Sequence, residues 1–225
     1  MNRLAAVIFD MDGVLIDSHA LHLRAWRQVL RAGGRKLRSD EEELLFDGGK
    51  REQILRHFLG EVGPEELRRL SEAKDALVRG EEDGVQLLPG ALELLKALAA
   101  AGIPRALASS GSRPRVLRTL ERLKLAAHFD VVVSGDDVSS GKPDPELFRI
   151  AAAKLGVRPE AAIVLEDAVS GVKAAKAAGM RCIAVAAPNR GKQLEQAGAD
   201  AVVHSLAELS VARLRLALEP SGSHP

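Results

Sequence analysis

The sequence predicts an α/β protein, a doubly wound parallel sheet with a small all-helical unit inserted near its start. Short apolar runs that end in polar clusters alternate with helix-period patterns, as parallel strands joined by helical crossovers do. The first run breaks this alternation, because residues 14–87 carry helical patterns and no convincing strand. Of the 225 residues, 46% are hydrophobic, which is enough to bury a substantial core.

The predicted strands are the apolar runs, and the predicted crossovers are segments with apolar residues at three- and four-residue spacing. The strands are expected at 4–9, 103–108, 129–133, 161–165, 182–185 and 201–203. Helices are expected between them at 113–123, 145–155 and 169–178. Because each predicted crossover is helical, the strands should run parallel and the connections should cover the sheet.

The inserted segment contains an amphipathic helix at 18–31 and further helices at 51–59 and 64–79. Between them, a charged segment opens at Ser39, and Glu42 follows three residues later as in a capping box. Pro64 suits the first turn of its helix. We therefore expect a core formed by 1–15 and 87–217, a helical cap formed by 16–86, and a flexible tail at 218–225.

Charge and cysteine content narrow the range of partners. Lysine and arginine number 32 against 31 acidic residues, so a net charge of +1 favours neither nucleic acid nor an anionic membrane as a partner. The single cysteine, Cys182, lies in an apolar run and is expected to be a small buried hydrophobe in a reducing compartment. No apolar stretch is long enough to span a bilayer, so we expect a cytoplasmic protein. We also expect it to be a monomer or a weak dimer.

Two carboxylates follow the first predicted strand. Asp10 and Asp12 are two residues apart and should point to the same side, while Gly13 allows the backbone to turn. Open α/β sheets bind ligands beyond the carboxyl ends of their strands. The pair therefore predicts a functional site, although an ordinary turn at a strand end is the alternative.

Polar groups also follow three later strands. Ser109, Ser110 and Gly111 form a small hydroxyl-rich turn before a helix, a suitable seat for a phosphate, although Ser112 as a simple helix cap is an alternative. Lys142 lies between a glycine and a proline and is suited to neutralise a phosphate or carboxylate. Glu166 and Asp167 offer hard oxygen ligands of the kind that Mg²⁺ prefers, or else cap a helix.

Taken in order, these groups resemble the four motifs of the haloacid dehalogenase superfamily of phosphohydrolases. Those motifs are an Asp-x-Asp-Gly pair, a serine or threonine, a lysine and a late acidic pair. The segment 13–18, the pattern His22-x-x-Ala25-Trp26 and the segment 166–179 further resemble the β-phosphoglucomutase-like group, whose members carry a small helical cap. The resemblance covers nearly the whole chain and implies a Rossmann-like core.

The resemblance implies a Mg²⁺-dependent phosphatase acting on a small phosphorylated metabolite, most simply a sugar phosphate. Asp10 would be the nucleophile that forms an aspartyl-phosphate, and Asp12 the general acid that later activates water. Ser109 and Lys142 would bind the transferring phosphoryl group, with Ser110 and Gly111 beside it. The metal ligands would be Asp10, the main-chain carbonyl of Asp12, and Asp167, with Glu166 coordinating directly or through water. Dehalogenation is disfavoured, because a halide leaving group needs no second aspartate.

Cap residues would decide the substrate. His22 and Trp26 lie four residues apart on one helical face. In the group that this chain resembles, an arginine near Arg51 and a lysine near Lys74 meet the distal part of a phosphorylated sugar. Their alternatives are ordinary: Trp26 could pack in a core, and the two cations could be solvated. The mutase pattern has a serine three residues after the arginine, where this chain has Ile54.

Two other functions compete with the phosphatase. One is a β-phosphoglucomutase, which interconverts glucose 1-phosphate and glucose 6-phosphate through the same intermediate. The other is a non-catalytic module that binds a phosphometabolite. The residue at Ile54 disfavours the mutase, and the retention of Asp10 and Lys142 disfavours the binding module.

Overall fold

A computed structural model of the protein describes residues 3–46, 49–187 and 189–218. The strands are β1 (Ala6–Phe9), β2 (Ile16–Asp17), β3 (Gln86–Leu87), β4 (Arg105–Ala108), β5 (Val131–Val133), β6 (Ala162–Glu166), β7 (Arg181–Val185) and β8 (Ala201–Val203). The α-helices are α1 (His19–Ala32), α2 (Arg51–Leu59), α3 (Pro64–Glu81), α4 (Ala91–Ala100), α5 (Arg113–Arg122), α6 (Glu146–Leu155), α7 (Val169–Ala177), α8 (Gly191–Gln196) and α9 (Val211–Leu216).

Six strands form one parallel sheet in the order β5-β4-β1-β6-β7-β8, which confirms the predicted fold class. Strand β1 lies in the middle, between β4 and β6, so the chain builds outward from it in both directions. This is the topological switch point at which open α/β sheets form their ligand crevice. The residues at the carboxyl ends of β1, β4 and β6 therefore lie close together at one end of these parallel strands, which we call the carboxyl edge of the sheet.

Successive residues of each strand point to opposite faces of the sheet, and each face packs against its own apolar cluster. Both faces are therefore buried. Val7 and Phe9 of β1 belong to one apolar cluster, and Ile8 belongs to the other. Cys182 is fully buried in the second cluster, as expected for a small hydrophobe, and burial raises the pKa of its thiol well above the ordinary value.

The predicted strand positions are confirmed, with ends that differ by one or two residues. Strand β4 begins at Arg105 rather than at residue 103, because Pro104 has no N–H to donate to the ladder, although its carbonyl accepts from Val7. Several elements go beyond these predictions, among them the short helices α8 and α9 near the C-terminal end of the described chain. Strands β2 and β3 pair antiparallel where the inserted segment leaves and rejoins the core, and α4 follows directly.

The inserted segment is helical between these two short strands, with its own apolar cluster. A 3₁₀ helix, Ser39–Phe46, stands where the charged segment is predicted, and Glu42 pairs with Arg27 of α1. Helices α1, α2 and α3 pack around the cluster, whose fully buried members include Leu30, Leu55 and Leu70. Such a cluster gives the three helices a common core, so they pack together as one unit.

The C-terminal end of the described chain packs onto the core. Leu218, the first residue of the predicted tail, is buried in the first apolar cluster, while residues 219–225 lie outside the described residues. Within the described ranges, no helix is long and apolar enough to cross a bilayer.

Candidate active site

A cavity of about 100 Å³ lies at the carboxyl edge of the sheet, beneath the inserted helices. All of the predicted site residues line it, namely Asp10, Asp12, His22, Trp26, Arg51, Lys74, Ser109, Ser110, Gly111, Lys142, Glu166 and Asp167. The structure adds residues that sequence reasoning missed, among them His19, Asp75 and Arg115. Segments from the carboxyl ends of the strands and from the inserted helices thus contribute to one site.

Lys142 bridges two carboxylates at the centre of the core side. Its Nζ donates to Oδ1 of Asp10 at 2.6 Å and also to Oε1 of Glu166. The lysine side chain is 1% exposed, and it is carried by the loop after β5, where the bond to Pro143 is cis. Burial alone would lower the pKa of Lys142, but the charges of Asp10 and Glu166 outweigh it and raise that pKa.

Negative charge exceeds positive charge in this cluster. Burial raises the pKa of Asp10 well above its usual value; Lys142 opposes the shift, and the charges of Glu166 and Asp167 add to it. The pKa of Glu166 is likewise raised, first by burial. Asp10, Glu166 and Asp167 thus lie close together, and the Lys142 ammonium group contacts only the first two, so a further cation or a proton would relieve their repulsion.

The acidic pair at the carboxyl end of β6 is held in place by the backbone around it. Oε2 of Glu166 accepts from the backbone N–H groups of Asp167 at 2.7 Å and Ala168 at 2.8 Å. A Cβ at Gly171 would overlap the Glu166 carboxylate, so glycine permits α7 to approach it. At Gly13, φ is +78° and a Cβ would overlap Asp167, so glycine is required there for conformation and for space.

Asp167 also meets a residue from the start of α1. His19 Nε2 lies 3.2 Å from Oδ2 of Asp167, and this hydrogen bond raises the pKa of His19. His19 is not among the predicted site residues. Two histidines lie three residues apart at the start of a helix, and only the folded chain shows that they face different carboxylates.

The turn after β4 is built around Ser109. Its Oγ accepts from the N–H of Gly111 at 3.1 Å, and the residue is buried beside the cavity. Ser112 occupies the N-cap position of α5 but makes no side-chain cap hydrogen bond; its Oγ donates to Asp75 of α3 at 2.9 Å. Side-chain capping by Ser112 is therefore wrong, because the hydroxyl links the core turn to an inserted helix instead.

Asp12 is held by three side chains. Arg115 of α5 grips both of its oxygens at 2.6 and 2.7 Å, Ser18 Oγ donates to Oδ1 at 2.5 Å, and His22 Nε2 lies 3.2 Å from the same oxygen. Burial would raise the pKa of Asp12, but the charge of Arg115, together with the hydrogen bonds from Arg115 and His22, holds that pKa well below its ordinary value. The carboxylate is 28% exposed and therefore remains accessible from the cavity.

A second basic group stands behind His22. Lys74 Nζ lies 2.9 Å from His22 Nδ1 and 5.2 Å from the centroid of the Trp26 ring. Burial lowers the pKa of Lys74 to about 7, and burial together with Lys74 and Arg115 lowers the pKa of His22 to about 3. With Lys74 donating to Nδ1, a neutral His22 carries its proton on Nε2 and donates it to Asp12.

Direct contacts join the inserted helices to the core around the rim. Arg51 of α2 pairs with Asp75 and lies 3.9 Å from Asp136 of the core, and Lys50 donates to the carbonyl of Val138 at 2.6 Å. Trp26 also lines the cavity, but most of the surface of its side chain is buried against the apolar cluster of the inserted helices. The cap is therefore docked on the core.

The donor set suits a hard divalent cation. The described residues contain no group of three or more His, Cys, Asp or Glu side chains already arranged around a metal position. Asp10, Glu166 and Asp167 nevertheless bring more negative charge to the sheet edge than Lys142 neutralises, and their oxygens are the ligand type that Mg²⁺ prefers. Because Mg²⁺ keeps several waters, two carboxylates and one main-chain carbonyl are a sufficient protein contribution.

Comparison with known proteins identifies relatives over almost the whole chain. The family model of the haloacid dehalogenase-like hydrolases matches residues 7–185. A phosphorylated carbohydrates phosphatase of Thermotoga maritima is 38% identical over 214 residues, covering 89% of this chain and 94% of the relative. Hexitol phosphatase A of Escherichia coli is 35% identical, covering 94% and 95%. The crystal structure of a β-phosphoglucomutase from Clostridium difficile superposes with a TM-score of 0.85 at 27% identity, covering 96% and 97%.

Proposed function

Because this chain belongs to the haloacid dehalogenase-like hydrolase family, we propose that it is a Mg²⁺-dependent phosphatase of a small phosphorylated sugar. It is an enzyme of the class that acts on phosphate esters, as its relatives are. The observation that carries the proposal is the pairing of Asp10 with Lys142 in a cavity that Ser109 also lines. A carboxylate held by an ammonium group beside hydroxyl and amide donors is suited to attack phosphorus.

In the proposed mechanism, Asp10 attacks the phosphoryl group and becomes an aspartyl-phosphate. Lys142 and Ser109 hold the phosphoryl oxygens, and the positive charge of Lys142 reduces the repulsion between the ester and the attacking carboxylate. Asp12 in its protonated form donates that proton to the leaving oxygen; as a carboxylate it then takes a proton from the water that hydrolyses the intermediate, which restores the protonated form. Both transfers use one carboxylate, which the short stretch of backbone after β1 keeps beside the nucleophile.

Asp10, the main-chain carbonyl of Asp12, and Asp167 would hold the Mg²⁺ ion, with Glu166 contacting it directly or through water. When bound, the ion supplies charge that neutralises the phosphate dianion and the acidic cluster. The remaining site residues would serve the sugar: His22, Trp26, Arg51 and Lys74 from the cap, and Ser110 and Gly111 from the turn after β4.

We divide the chain into a core of 1–15 and 87–217 and a cap of 16–86, which would open to admit substrate. The short β2–β3 ribbon lies where the cap leaves and rejoins the core, so the change in angle would be absorbed near 15–17 and 87–90. Closure excludes bulk water and brings Arg51 towards the distal end of the sugar.

A mutase is the second candidate, since a β-phosphoglucomutase shares the fold across almost the whole chain. The experiment is to supply β-glucose 1-phosphate with a trace of glucose 1,6-bisphosphate and to measure glucose 6-phosphate and free phosphate together. For a phosphatase, free phosphate should exceed isomerised sugar. The phosphatase proposal would be overturned if glucose 6-phosphate formed more than about tenfold faster than free phosphate. That ratio corresponds to an activation free energy about 1.4 kcal/mol lower for isomerisation than for hydrolysis.

The substrate itself is to be found by screening phosphorylated metabolites for phosphate release. Sugar and sugar-alcohol phosphates form one arm of the screen, and nucleotides and phosphoamino acids form the other. A preference for the second arm would contradict the proposed substrate class while leaving the chemistry at Asp10 intact.

A further inference from the structure

Arg115 makes the most specific polar contact of Asp12, although nothing in the sequence marks it as a site residue. It lies in the first turn of α5, and its side chain is 4% exposed. Nη1 donates to Oδ2 of Asp12 at 2.7 Å and Nη2 donates to Oδ1 at 2.6 Å. Two parallel charge-assisted hydrogen bonds fix both the position and the rotation of a carboxylate, which a single donor cannot do.

The other partners of Asp12 do not fix it in this way. Ser18 and His22 both lie at the start of α1, and both contact Oδ1. A carboxylate held through one oxygen can still rotate about that contact. Arg115 holds the other oxygen, Oδ2, and it belongs to the core rather than to the inserted helices.

The far side of the guanidinium faces the cap. Nε of Arg115 lies 3.7 Å from Oε1 of Glu82, and within the described residues both atoms are buried without a hydrogen-bond partner. Glu82 directly follows α3 and precedes β3, on the stretch of chain that returns from the cap to the core. Arg118, one turn further along α5, lies 3.5 Å from the other oxygen of Glu82 and does not contact Asp12.

We propose that Arg115 is a positioning residue that orients the Asp12 carboxylate towards the leaving oxygen, and that Glu82 links this orientation to the returning connection of the cap. The inference rests on the proposed phosphatase function. Arg115 does not itself exchange a proton with the substrate; it determines where the carboxylate that does so can point. When the cap opens, Glu82 moves with its connection, and the support behind the guanidinium changes.

The test uses the reactivity of the leaving group. A sugar alkoxide needs a proton from Asp12 as it leaves, whereas p-nitrophenolate is stable without one. The ratio kcat/KM reports the steps up to release of the alcohol, so it is measured for a sugar phosphate and for p-nitrophenyl phosphate. Arg115→Lys keeps the positive charge but removes the paired hydrogen bonds of the guanidinium group. It should lower kcat/KM about 10- to 100-fold for the sugar phosphate and less than about threefold for the aryl ester.

Three variants separate positioning from other roles. Arg118→Met removes a contact to Glu82 but none to Asp12, and it should leave both ratios within about twofold of the parent. Glu82→Gln should reproduce the selective loss at a smaller magnitude, about three- to tenfold. In an Asp12→Asn background, Arg115→Met should cause no further loss on the sugar phosphate, because the group it orients can no longer transfer a proton.

Specific results would overturn the inference. An equal loss of kcat/KM on both esters would make Arg115 a structural residue, and a rise in KM at unchanged kcat on both would make it a ligand of the substrate phosphate. An Arg115→Lys protein that keeps full activity on the sugar phosphate would also overturn it. The proposed function fails separately, if the parent releases no phosphate or if Asp10→Asn remains active.

Discussion

Lys142 and Asp10, 132 residues apart in the chain, form a buried ion pair in which Nζ lies 2.6 Å from Oδ1. Glu166 shares the same ammonium group, so the pair is part of a three-residue cluster that is almost completely excluded from solvent. Breaking a buried cluster by removing one member leaves the other charges unpaired. This relationship makes the site rigid, and its consequences for stability and activity can be measured separately.

Lys142→Met should lower the free energy of unfolding by about 3–5 kcal/mol, because it leaves Asp10 and Glu166 buried without a cation. Urea denaturation is the measurement. Adding Glu166→Gln to this variant should restore part of the loss. Lys176→Met, which breaks a partly exposed pair with Asp200, is the matched control and should cost no more than about 1 kcal/mol. Equal losses for the two lysines would refute the argument.

Asp10→Asn should abolish turnover without unfolding the protein. An amide cannot attack phosphorus, yet it fills the same volume and removes one charge from a cluster in which burial already raises the pKa of Asp10. Phosphate release from p-nitrophenyl phosphate and a thermal melt, measured side by side, check both halves of the prediction. Turnover above about a tenth of the parent value, which is a rise of less than about 1.4 kcal/mol in the activation free energy, would rule out Asp10 as the nucleophile.

Chelation with EDTA should abolish activity while leaving the fold intact, because the apolar clusters on both faces of the sheet hold it together without a metal. Adding Mg²⁺ should restore activity and raise Tm, since an ion that binds only the folded state stabilises it. Asp167→Ala should raise the Mg²⁺ concentration for half-maximal activity more than Glu166→Ala does. Metal-free protein that works at full rate would contradict the proposed cofactor.

Arg51→Ala should raise KM for a sugar phosphate by about tenfold and leave p-nitrophenyl phosphate nearly unaffected. Arg51 lines the cavity from the cap side, where the proposed sugar substrate would extend and the small aryl ester would not reach. Arg56→Ala, at an exposed position on the same helix, is the control and should change neither value. A parallel loss on both substrates would show that Arg51 contacts the phosphoryl group or supports the fold.

The burial of Lys74 should make the free energy of unfolding depend on pH. Its pKa is about 7 in the folded protein against 10.5 for an ordinary lysine, so between these values the unfolded chain binds one more proton than the folded chain. Stability contributed by this site should therefore rise with pH across that window. From pH 7 to 9, the parent should gain about 2 kcal/mol of unfolding free energy relative to Lys74→Met. Parallel pH profiles for the two proteins would show that Lys74 is not buried as a neutral amine.

The sequence alone is sufficient for the fold class, for most strands and helices, and for the groups that end at the sheet edge. Apolar runs and helix-period patterns are local signals, and parallel strands place their carboxyl ends together whatever their register. These two rules suffice to bring Asp10, Ser109, Lys142 and Glu166 into one site, where the folded chain has them. The β2–β3 ribbon escapes prediction because its strands are two residues long and pair over a distance of about 70 residues, where no local pattern exists.

Only the tertiary structure determines which side chains from different elements contact one another in the site. Arg115 lies 103 residues from Asp12, on a helix whose other arginines are more exposed, and its sequence pattern is that of a solvated helix face. Ser112 has the sequence context of a helix cap, yet its hydroxyl reaches Asp75 of the inserted helices. Spacing along a chain determines which face of an element a residue occupies. The partner it finds there depends on how the elements pack, because hydrogen bonds and ion pairs act over only a few ångströms.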